Sequence, residues 1–177
     1  MRIKRAQARS NLEKNAKNLI RIGMRIKFLI SAIIAITFLA CQPEGLIYQE
    51  SKSLNGSWLA KDEAVFQIPV RESLSGVDLS LVLRNNEDYP FSNIYFFTEF
   101  TSPKGEKMLD TLEYQLAFPD GEWIGSGMGA IKQNTLIYKE NITLKDTGIY
   151  QLKIKQAMRL NPLEGIEDIS LLIQKEK

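Results

Sequence analysis

A hydrophobic alternation of period two is the feature that most restricts how this chain folds. Residues 77–84, 112–117 and 150–155 place an apolar side chain at every second position, with mostly polar residues between. Successive side chains of a strand point to opposite faces, so this pattern is typical of antiparallel strands with one buried and one solvated face. No segment after residue 41 carries the 3.6-residue apolar stripe of a helix of useful length. The sequence therefore predicts an all-β body.

Turn-forming residues separate the predicted strands at 85–90, 102–105, 119–121 and 161–165. About eight short strands at this spacing indicate an antiparallel β-sandwich, immunoglobulin-like or jelly-roll-like. Residues 93–100, apolar on both faces, are predicted to form a central strand, and the β-rich run 123–131 another strand. The motif Asp146-Thr147-Gly148-Ile149-Tyr150 resembles the corner of immunoglobulin-like sandwiches, where the tyrosine hydroxyl bonds back to the backbone of the preceding turn.

The start of the chain is typical of a secretion signal. Residues 24–40 combine a short basic stretch with thirteen uncharged, mostly apolar residues, too short a run for a comfortable membrane span. Phe38-Leu39-Ala40-Cys41 resembles a bacterial lipobox, which predicts that Cys41 is the lipid-modified first residue of the mature protein. The alternative is a plain signal peptide followed by an incidental cysteine.

Three further segments follow from this interpretation. The tetrapeptide Met-Arg-Ile-Lys occurs at 1–4 and again at 24–27, so residues 1–23 are interpreted as a start assigned too early or as a basic extension. Residues 41–56 are interpreted as the lipidated cysteine and a tether, because they are polar and contain proline and glycine. Residues 57–177 are predicted to form the sandwich domain.

Charge and composition exclude several kinds of function. Residues 1–27 hold nine Lys and Arg against one acidic residue, whereas residues 28–177 hold fourteen against twenty. The acidic body argues against nucleic acid as a partner, because Lys and Arg bind its phosphates. The chain has no histidine and one cysteine, which removes Ser-His-Asp and Cys-His catalysis, His-ligated zinc and an internal disulfide. No cofactor and no metal site is expected.

The remaining motifs that could carry chemistry have simpler structural interpretations. The glycines at 121, 125, 127 and 129 lack the lysine and helix of a phosphate loop, so they are predicted to permit a bulge, a bend or close packing. Residues 85–88 are predicted to be a turn rather than a Ca²⁺ site. Several acids near aromatic residues are interpreted as solvated charges rather than as a glycosidase pair. These acids are Glu99, Asp110, Glu113, Asp120 and Glu122.

Seven short segments of the body point together to a known family. They are Leu83–Asn85, Tyr89–Tyr95, Asp110–Glu113, Gly121–Gly127, Gly148–Tyr150, Gln156–Arg159 and Leu163–Ile169. In this order they resemble the gliding-motility lipoprotein family GldH, over about residues 55–174. The resemblance implies a Bacteroidota cell-envelope lipoprotein that is needed for surface gliding and linked to type IX secretion. The family is not known as an enzyme and has no established catalytic residues to carry across.

The expected function is that of a lipid-anchored, non-catalytic envelope component that contacts other motility or secretion proteins. Its expected location is the outer membrane, with the periplasmic or surface face left open. The candidate contact residues are Tyr89, Tyr95, Trp123 and Arg159, and Arg159 is alternatively interpreted as the ion-pair partner of an acid such as Asp168. The alternative function is a carbohydrate-binding sandwich for glycan capture, which predicts a row of exposed aromatic side chains on one sheet face.

Overall fold

The computed structural model describes residues 45–127 and 129–175. Within these ranges the regular structure is all strand, and no helix there is long and apolar enough to cross a membrane. The strands are β1 Leu46–Ser53, β2 Ser57–Trp58, β3 Ala64–Val70, β4 Leu74–Asn85, β5 Asn93–Thr101, β6 Lys107–Gln115, β7 Lys132–Leu144, β8 Gly148–Gln156, β9 Leu163–Glu164 and β10 Ile166–Lys175. The predictions for the signal peptide and Cys41 lie outside the described residues.

The eight long strands form two antiparallel sheets, in the orders β1-β10-β4-β7 and β3-β8-β5-β6, while β2 and β9 pair with each other. Apart from the β5–β6 hairpin, each connection between successive long strands crosses from one sheet to the other. This is the arrangement of an eight-stranded jelly roll. It confirms the predicted sandwich. Of the two predicted alternatives, immunoglobulin-like and jelly-roll-like, the chain adopts the jelly-roll order. The prediction that 93–100 is a central strand is also confirmed, since β5 lies between β8 and β6.

The corner motif is confirmed locally, although it belongs to a different strand order from the one it suggests. The backbone N–H of Asp146 donates to the hydroxyl oxygen of Tyr150 over 3.0 Å. This bond fixes the turn where the chain passes from β7 in one sheet to β8 in the other. The bond forms here in a jelly-roll order, so the motif by itself does not distinguish that order from an immunoglobulin-like one.

The core lies between the two sheets and takes every second residue of the inner strands. On β4 the inward residues Val77, Leu79, Leu81 and Leu83 are buried, as are Tyr150, Leu152 and Ile154 on β8. The outward residues between them are mostly polar, which keeps the other face of each sheet in water. The alternation seen in the sequence therefore corresponds to the core positions of both sheets.

Two tyrosines close the open sides of the sandwich. Tyr114 on β6 donates its hydroxyl to the carbonyl of Ile137 on β7 over 2.7 Å, and the hydroxyl of Tyr48 on β1 lies 3.1 Å from the carbonyl oxygen of Gln67 on β3. Each contact joins the edge strands of opposite sheets. Burial raises the pKa of Tyr114 to about 12 and also raises that of Tyr48, so both hydroxyls keep their protons at neutral pH.

The tether predicted over residues 41–56 is wrong for residues 46–53. These residues form β1, which pairs with β10 from Leu46↔Gln174 to Ser53↔Asp168. Because β1 is an edge strand, its side chains are only half-buried or exposed, and polar residues are tolerated along it. The sandwich domain therefore begins about ten residues earlier than predicted.

The run 123–131 was predicted to be a strand, but its described residues, 123–127 and 129–131, form isolated bridges only, at Trp123 and Ser126. Of the four glycines predicted to permit a bulge, a bend or close packing, Gly125 and Gly127 are closely packed, whereas Gly121 and Gly129 have no atom within 4 Å of an added Cβ. A Cβ atom on Gly125 would lie 2.7 Å from Oδ1 of the buried Asn134, and one on Gly127 would lie 2.3 Å from the carbonyl oxygen of Ile131. The backbone of this run can therefore approach β7 only without side chains.

The connections of the jelly roll gather at two ends. The Tyr89 end carries residues 54–63, 86–92, 116–127, 129–131 and 157–165. The Gly45 end carries Gly45, residues 71–73, 102–106 and 145–147, and Lys175. Strand register fixes this division, because Asn93↔Gln115 stands at one end of the β5–β6 pair and Thr101↔Lys107 at the other.

Tyr89 is the buried residue around which the Tyr89 end is built. It is 3% exposed, and its hydroxyl donates to the carbonyl of Asn93 over 2.8 Å. The centroid of its ring lies 6.0 Å from that of Phe91 and 6.4 Å from that of Trp123. Gly165 packs directly on its backbone: a Cβ there would lie 2.2 Å from the Tyr89 nitrogen, and the φ of Gly165 is 84°. Only glycine fits this position without a shift of the backbone.

Truncation of Leu152 tests the assignment of the core. Leu152 is fully buried on β8, so Leu152→Ala is expected to lower the free energy of unfolding by about 2–5 kcal/mol, as lost burial and a cavity combine. The matched control is Ile149→Ala on the same strand, because Ile149 is 57% exposed. Urea unfolding followed by tryptophan fluorescence measures both. Equal losses for the two variants would contradict the assigned faces of β8.

Substitution of Gly165 tests the packing of the Tyr89 end. Gly121→Ala is the control, because Gly121 also has a left-handed φ, of 88°, but no atom lies within 4 Å of the place that an added methyl group would take. It is expected to cost about 1–2 kcal/mol of unfolding free energy. Gly165→Ala should cost clearly more, since the Tyr89 backbone must move, and thermal unfolding reports the difference. Similar melting temperatures for both variants would show that Gly165 is not held against Tyr89.

Candidate functional site

Tyr95 and Arg159, two of the predicted contact residues, lie on the same groove at the Tyr89 end. The groove has a volume of about 510 Å³ and is called the Arg159 groove below. Its lining residues are Phe91, Asn93, Tyr95, Ala157, Met158 and Arg159. Phe91, Tyr95 and Met158 are half-buried, whereas Arg159 is exposed. The groove therefore combines apolar side chains with one cationic group.

Backbone pairing holds the two walls of the groove together. After β8 ends, the N–H of Ala157 still donates to the carbonyl of Tyr95 over 2.9 Å. The next contact uses a side chain, because the N–H of Tyr95 donates to the sulfur of Met158 over 3.3 Å. The segment that carries Arg159 thus follows the start of β5 and keeps its place beside Tyr95.

A buried glutamine that was not among the predicted site residues supports the same segment. Gln156 is 3% exposed, accepts a hydrogen bond from the N–H of Met158 over 2.7 Å and donates to the carbonyl of Leu160 over 3.0 Å. It therefore holds the backbone on both sides of Arg159. The signal was present in the alternation, because Gln156 is a polar residue at the next inward position after Tyr150, Leu152 and Ile154.

The hydroxyl of Tyr95 has an acidic neighbour across the strand pair. Glu113 on β6 accepts a hydrogen bond from Asn93 Nδ2 over 2.8 Å. The hydrogen bond between Tyr95 and Glu113 raises the pKa of the tyrosine and lowers that of the carboxyl group. At neutral pH Tyr95 is therefore a neutral side chain with a tethered hydroxyl and an available ring face.

The suggested ion pair between Arg159 and Asp168 is wrong. Asp168 stands opposite Arg84 in the β10–β4 register, and its carboxylate accepts from Arg84 Nε at 2.8 and 3.0 Å and also from Nη2. The Asp168 side chain is 8% exposed, so its charge is already neutralised within the sheet. Within the described part of the chain Arg159 has no ion-pair partner, which leaves its guanidinium available.

The other two predicted contact residues are placed differently. Tyr89 is buried, so its prediction as a contact residue is wrong, and it supports the loops from within. Trp123 is half-buried against the core and does not line the Arg159 groove. The aromatic cluster 89–100 that motivated these choices supplies mainly core residues, because alternate residues of β5 point inward.

The acidic residues considered as a glycosidase pair have different partners or positions. Glu99 pairs with Lys107 at 3.0 Å, and Asp110 pairs with Lys139 at 3.1 Å. Glu113 accepts a hydrogen bond from Asn93, as described above. Asp120 and Glu122 are exposed and lie in the connection between β6 and β7. Within the described ranges no three Cys, Asp or Glu side chains come together as a metal-binding group.

The loops around the groove are strongly acidic. The connecting segments of the Tyr89 end hold seven acidic residues against two basic ones, Lys61 and Arg159. The acids are Asp62, Glu63, Glu87, Asp88, Asp120, Glu122 and Glu164. Charge of one sign at one end of a domain steers the approach of an oppositely charged partner. Arg159 is the basic residue of the groove within this field, and its guanidinium can hold a single carboxylate in two-point contact.

Five of the seven segments that resemble the family meet at this end. Leu83–Asn85 ends β4 there, Tyr89–Tyr95 and Gln156–Arg159 form the groove, Gly121–Gly127 packs on β7, and Leu163–Ile169 carries Gly165. Register and close packing thus unite pieces that are up to eighty residues apart in the sequence.

Among solved structures, the chain is similar to a family 35 carbohydrate-binding module from Clostridium thermocellum. The alignment covers 71% of this chain and 88% of the module, with a TM-score of 0.37 and 7% sequence identity. A similarity of this size carries no argument about ligands.

Similarity in sequence is much stronger. The chain is 37% identical over 161 residues to a Christiangramia forsetii protein named gliding motility lipoprotein GldH homolog, covering 86% of this chain and 98% of the relative. It is 36% identical to the gliding motility lipoprotein GldH of Flavobacterium johnsoniae, covering 86% and 99%. Residues 46–173 also match the family described as GldH lipoprotein. The chain therefore belongs to the GldH lipoprotein family of lipid-anchored envelope proteins with a role in gliding motility.

Proposed function

We propose that this protein is a non-catalytic component of the gliding machinery, anchored in the outer membrane by a lipid on Cys41 and linked to type IX secretion. Its Arg159 groove binds another motility or secretion protein of the envelope. The observation that carries the proposal is the groove itself, where an arginine without an ion-pair partner in the described chain stands beside apolar side chains. The family segments that meet around it support the same surface.

The composition of the groove favours a protein as the ligand. Aromatic residues, Met and Arg are enriched at the centres of protein interfaces, and Tyr and Arg supply many of their strongest contacts. Tyr95, Phe91, Met158 and Arg159 provide this set within one groove. The surrounding acidic loops fit a partner surface that is mainly basic but offers one carboxylate to Arg159.

The proposal of a non-catalytic role is supported by the side chains available. The chain has no histidine, and the acids on strands β5 and β6 are held by lysines or by Asn93. A general acid or base needs a perturbed, accessible group aimed at a substrate. Tyr95 lines the groove, and Glu113 lies opposite it across the strand pair. Their hydrogen bond raises the pKa of the tyrosine and lowers the pKa of the carboxyl group, so both keep their ordinary charge states.

The carbohydrate-binding alternative is less well supported. It predicts several exposed aromatic rings in a row across one sheet face. On the outer face of β5 the described chain offers Tyr95 and Phe97, and the cross-strand neighbours of Phe97 are Thr111 and Lys155. Two adjacent rings bordered by a threonine and a lysine make a short platform, whereas the groove offers a complete set of protein-contact residues.

Lipidation of Cys41 is tested by Cys41→Ala in the full chain. The variant is expected to accumulate as an unprocessed precursor and to lose metabolic labelling with a palmitate analogue, because the thiol that receives the lipid is gone. Labelling equal to that of the wild type would contradict the anchor.

The groove is tested by charge reversal in a strain that lacks the chromosomal gene. Arg159→Glu should lower the recovery of crosslinked envelope partners by roughly tenfold or more, as expected for a central arginine worth at least about 2 kcal/mol, and should reduce spreading on agar. The matched control is Lys61→Glu, an exposed basic residue at the same end but outside the groove. Immunoblots of membranes check that both variants are present in equal amounts.

Two results would contradict the assignment of the groove. One is wild-type recovery of partners and normal spreading with Arg159→Glu. The other is an equal loss with Lys61→Glu, which would show that the overall charge of the end, rather than the groove, attracts the partner. Normal spreading of the deletion strain itself would contradict the role in gliding.

A further inference from the structure

The described domain begins at the end opposite the Arg159 groove. Gly45 precedes β1, and its carbonyl accepts a hydrogen bond from the N–H of Lys175 over 2.9 Å, at the last residue of β10. From this point β1 runs toward the Tyr89 end, where Ser53 pairs with Asp168. The chain from Cys41 therefore enters the sandwich at the Gly45 end.

The connection to Cys41 is short. Gly45 is four positions after Cys41, and fully extended chain spans at most about 3.6 Å per position, so this segment reaches no more than about 14 Å. Strand β4, which runs from one end to the other, has twelve residues and is about 40 Å long at 3.3 Å per residue. A lipid on Cys41 therefore holds the Gly45 end at the bilayer, while the length of the sandwich separates the groove from it.

We infer that the Gly45 end is a membrane-contact surface that rests on anionic phospholipid headgroups and presents the Arg159 groove away from the bilayer. This inference rests on the anchor at Cys41 proposed above, and it deepens that proposal by assigning a separate task to each end of the jelly roll.

The charges of the two ends support this orientation. The Gly45 end, as defined above, holds four basic residues against three acidic ones. The basic residues are Arg71, Lys104, Lys145 and Lys175, and the acids are Glu72, Glu106 and Asp146. Lys104 and Asp146 neutralise each other at 2.6 Å. Arg71, Lys145 and Lys175 have no ion-pair partner in the described chain, whereas the Tyr89 end is acidic and would be repelled by anionic lipid.

Apolar side chains accompany these cations. Met108, Leu109 and Ile149 are 48%, 72% and 57% exposed, and each lies within three residues of the start of a strand at the Gly45 end. A cavity of about 440 Å³ that includes Met108 is lined by apolar side chains such as Phe100 and Leu144. Its charged lining residues are Lys107, Lys139 and Lys145, with Glu106 and Asp146. Apolar groups flanked by lysines are the chemistry of a membrane interface, where long lysine side chains reach the headgroups.

Fluorescence quenching by a spin-labelled lipid measures which end faces the bilayer. Thr147→Cys at the Gly45 end and Glu87→Cys at the Tyr89 end each add one free thiol to the full lipidated chain, since lipid occupies Cys41. Both positions are exposed. Each new thiol receives a fluorescent label, and the proteins are reconstituted in vesicles that contain a lipid spin-labelled at the headgroup. One set of vesicles is made of phosphatidylethanolamine and phosphatidylglycerol. In the other set phosphatidylcholine replaces the phosphatidylglycerol. We expect several-fold stronger quenching of the label at 147 than at 87, and stronger quenching with phosphatidylglycerol.

A matched pair of charge variants tests the contact itself. Lys145→Glu should reduce the quenching at 147 in phosphatidylglycerol vesicles to the level seen with phosphatidylcholine, whereas Lys61→Glu at the other end should leave it unchanged. Equal quenching at 147 and 87, stronger quenching at 87, or quenching at 147 that is independent of the anionic lipid would each overturn the inference. Failure of the wild-type chain to float with vesicles would instead contradict the anchor at Cys41, and the orientation with it. Loss of partner binding by Arg159→Glu is independent of either result.

Discussion

Packing of two sheets face to face is the constraint on which the rest of this structure depends. Half of the side chains on each long strand must lie between the sheets, so the other half and the edges are left to interact with solvent. The jelly-roll order then sends the chain from sheet to sheet at almost every connection. As a result the loops have only two places to gather, and residues distant in sequence meet at each of them. The Arg159 groove is one product of this geometry.

The alternation predicts the fold well where strands are central. Leu79, Leu81 and Leu152 lie between the sheets because a strand covered by neighbours on both edges buries its inward residues completely. The same signal fails for β1, whose inward positions carry Tyr48, Glu50 and Lys52. An edge strand can keep polar side chains partly in water and is held by backbone pairing. The alternation of apolar and polar residues therefore does not predict it.

The candidate site could be predicted only in part. Tyr95 and Arg159 follow from the family segments, but the sequence cannot show that β5 and the end of β8 lie side by side. Nor can it show that Asp168 forms its ion pair with Arg84, because that pair depends on the register of β10 against β4. The burial of Tyr89 escapes prediction for a related reason. Its segment is polar and turn-like, yet the approach of Gly165 from another loop buries it.

The pairing of β1 has a mechanical meaning for a protein that takes part in movement. A load carried between the lipid anchor and a partner on the groove would enter at Gly45 and leave at the opposite end, so it would pull along the axis of β1. The hydrogen bonds between β1 and β10 are perpendicular to that axis and extend over the seven paired positions from Leu46 to Ser53. Such a force strains these bonds together, in shear, rather than opening them one after another from an end. With the proposed anchor and partner in place, the placement of the first strand would make the domain a link that resists this pull between the membrane and the partner.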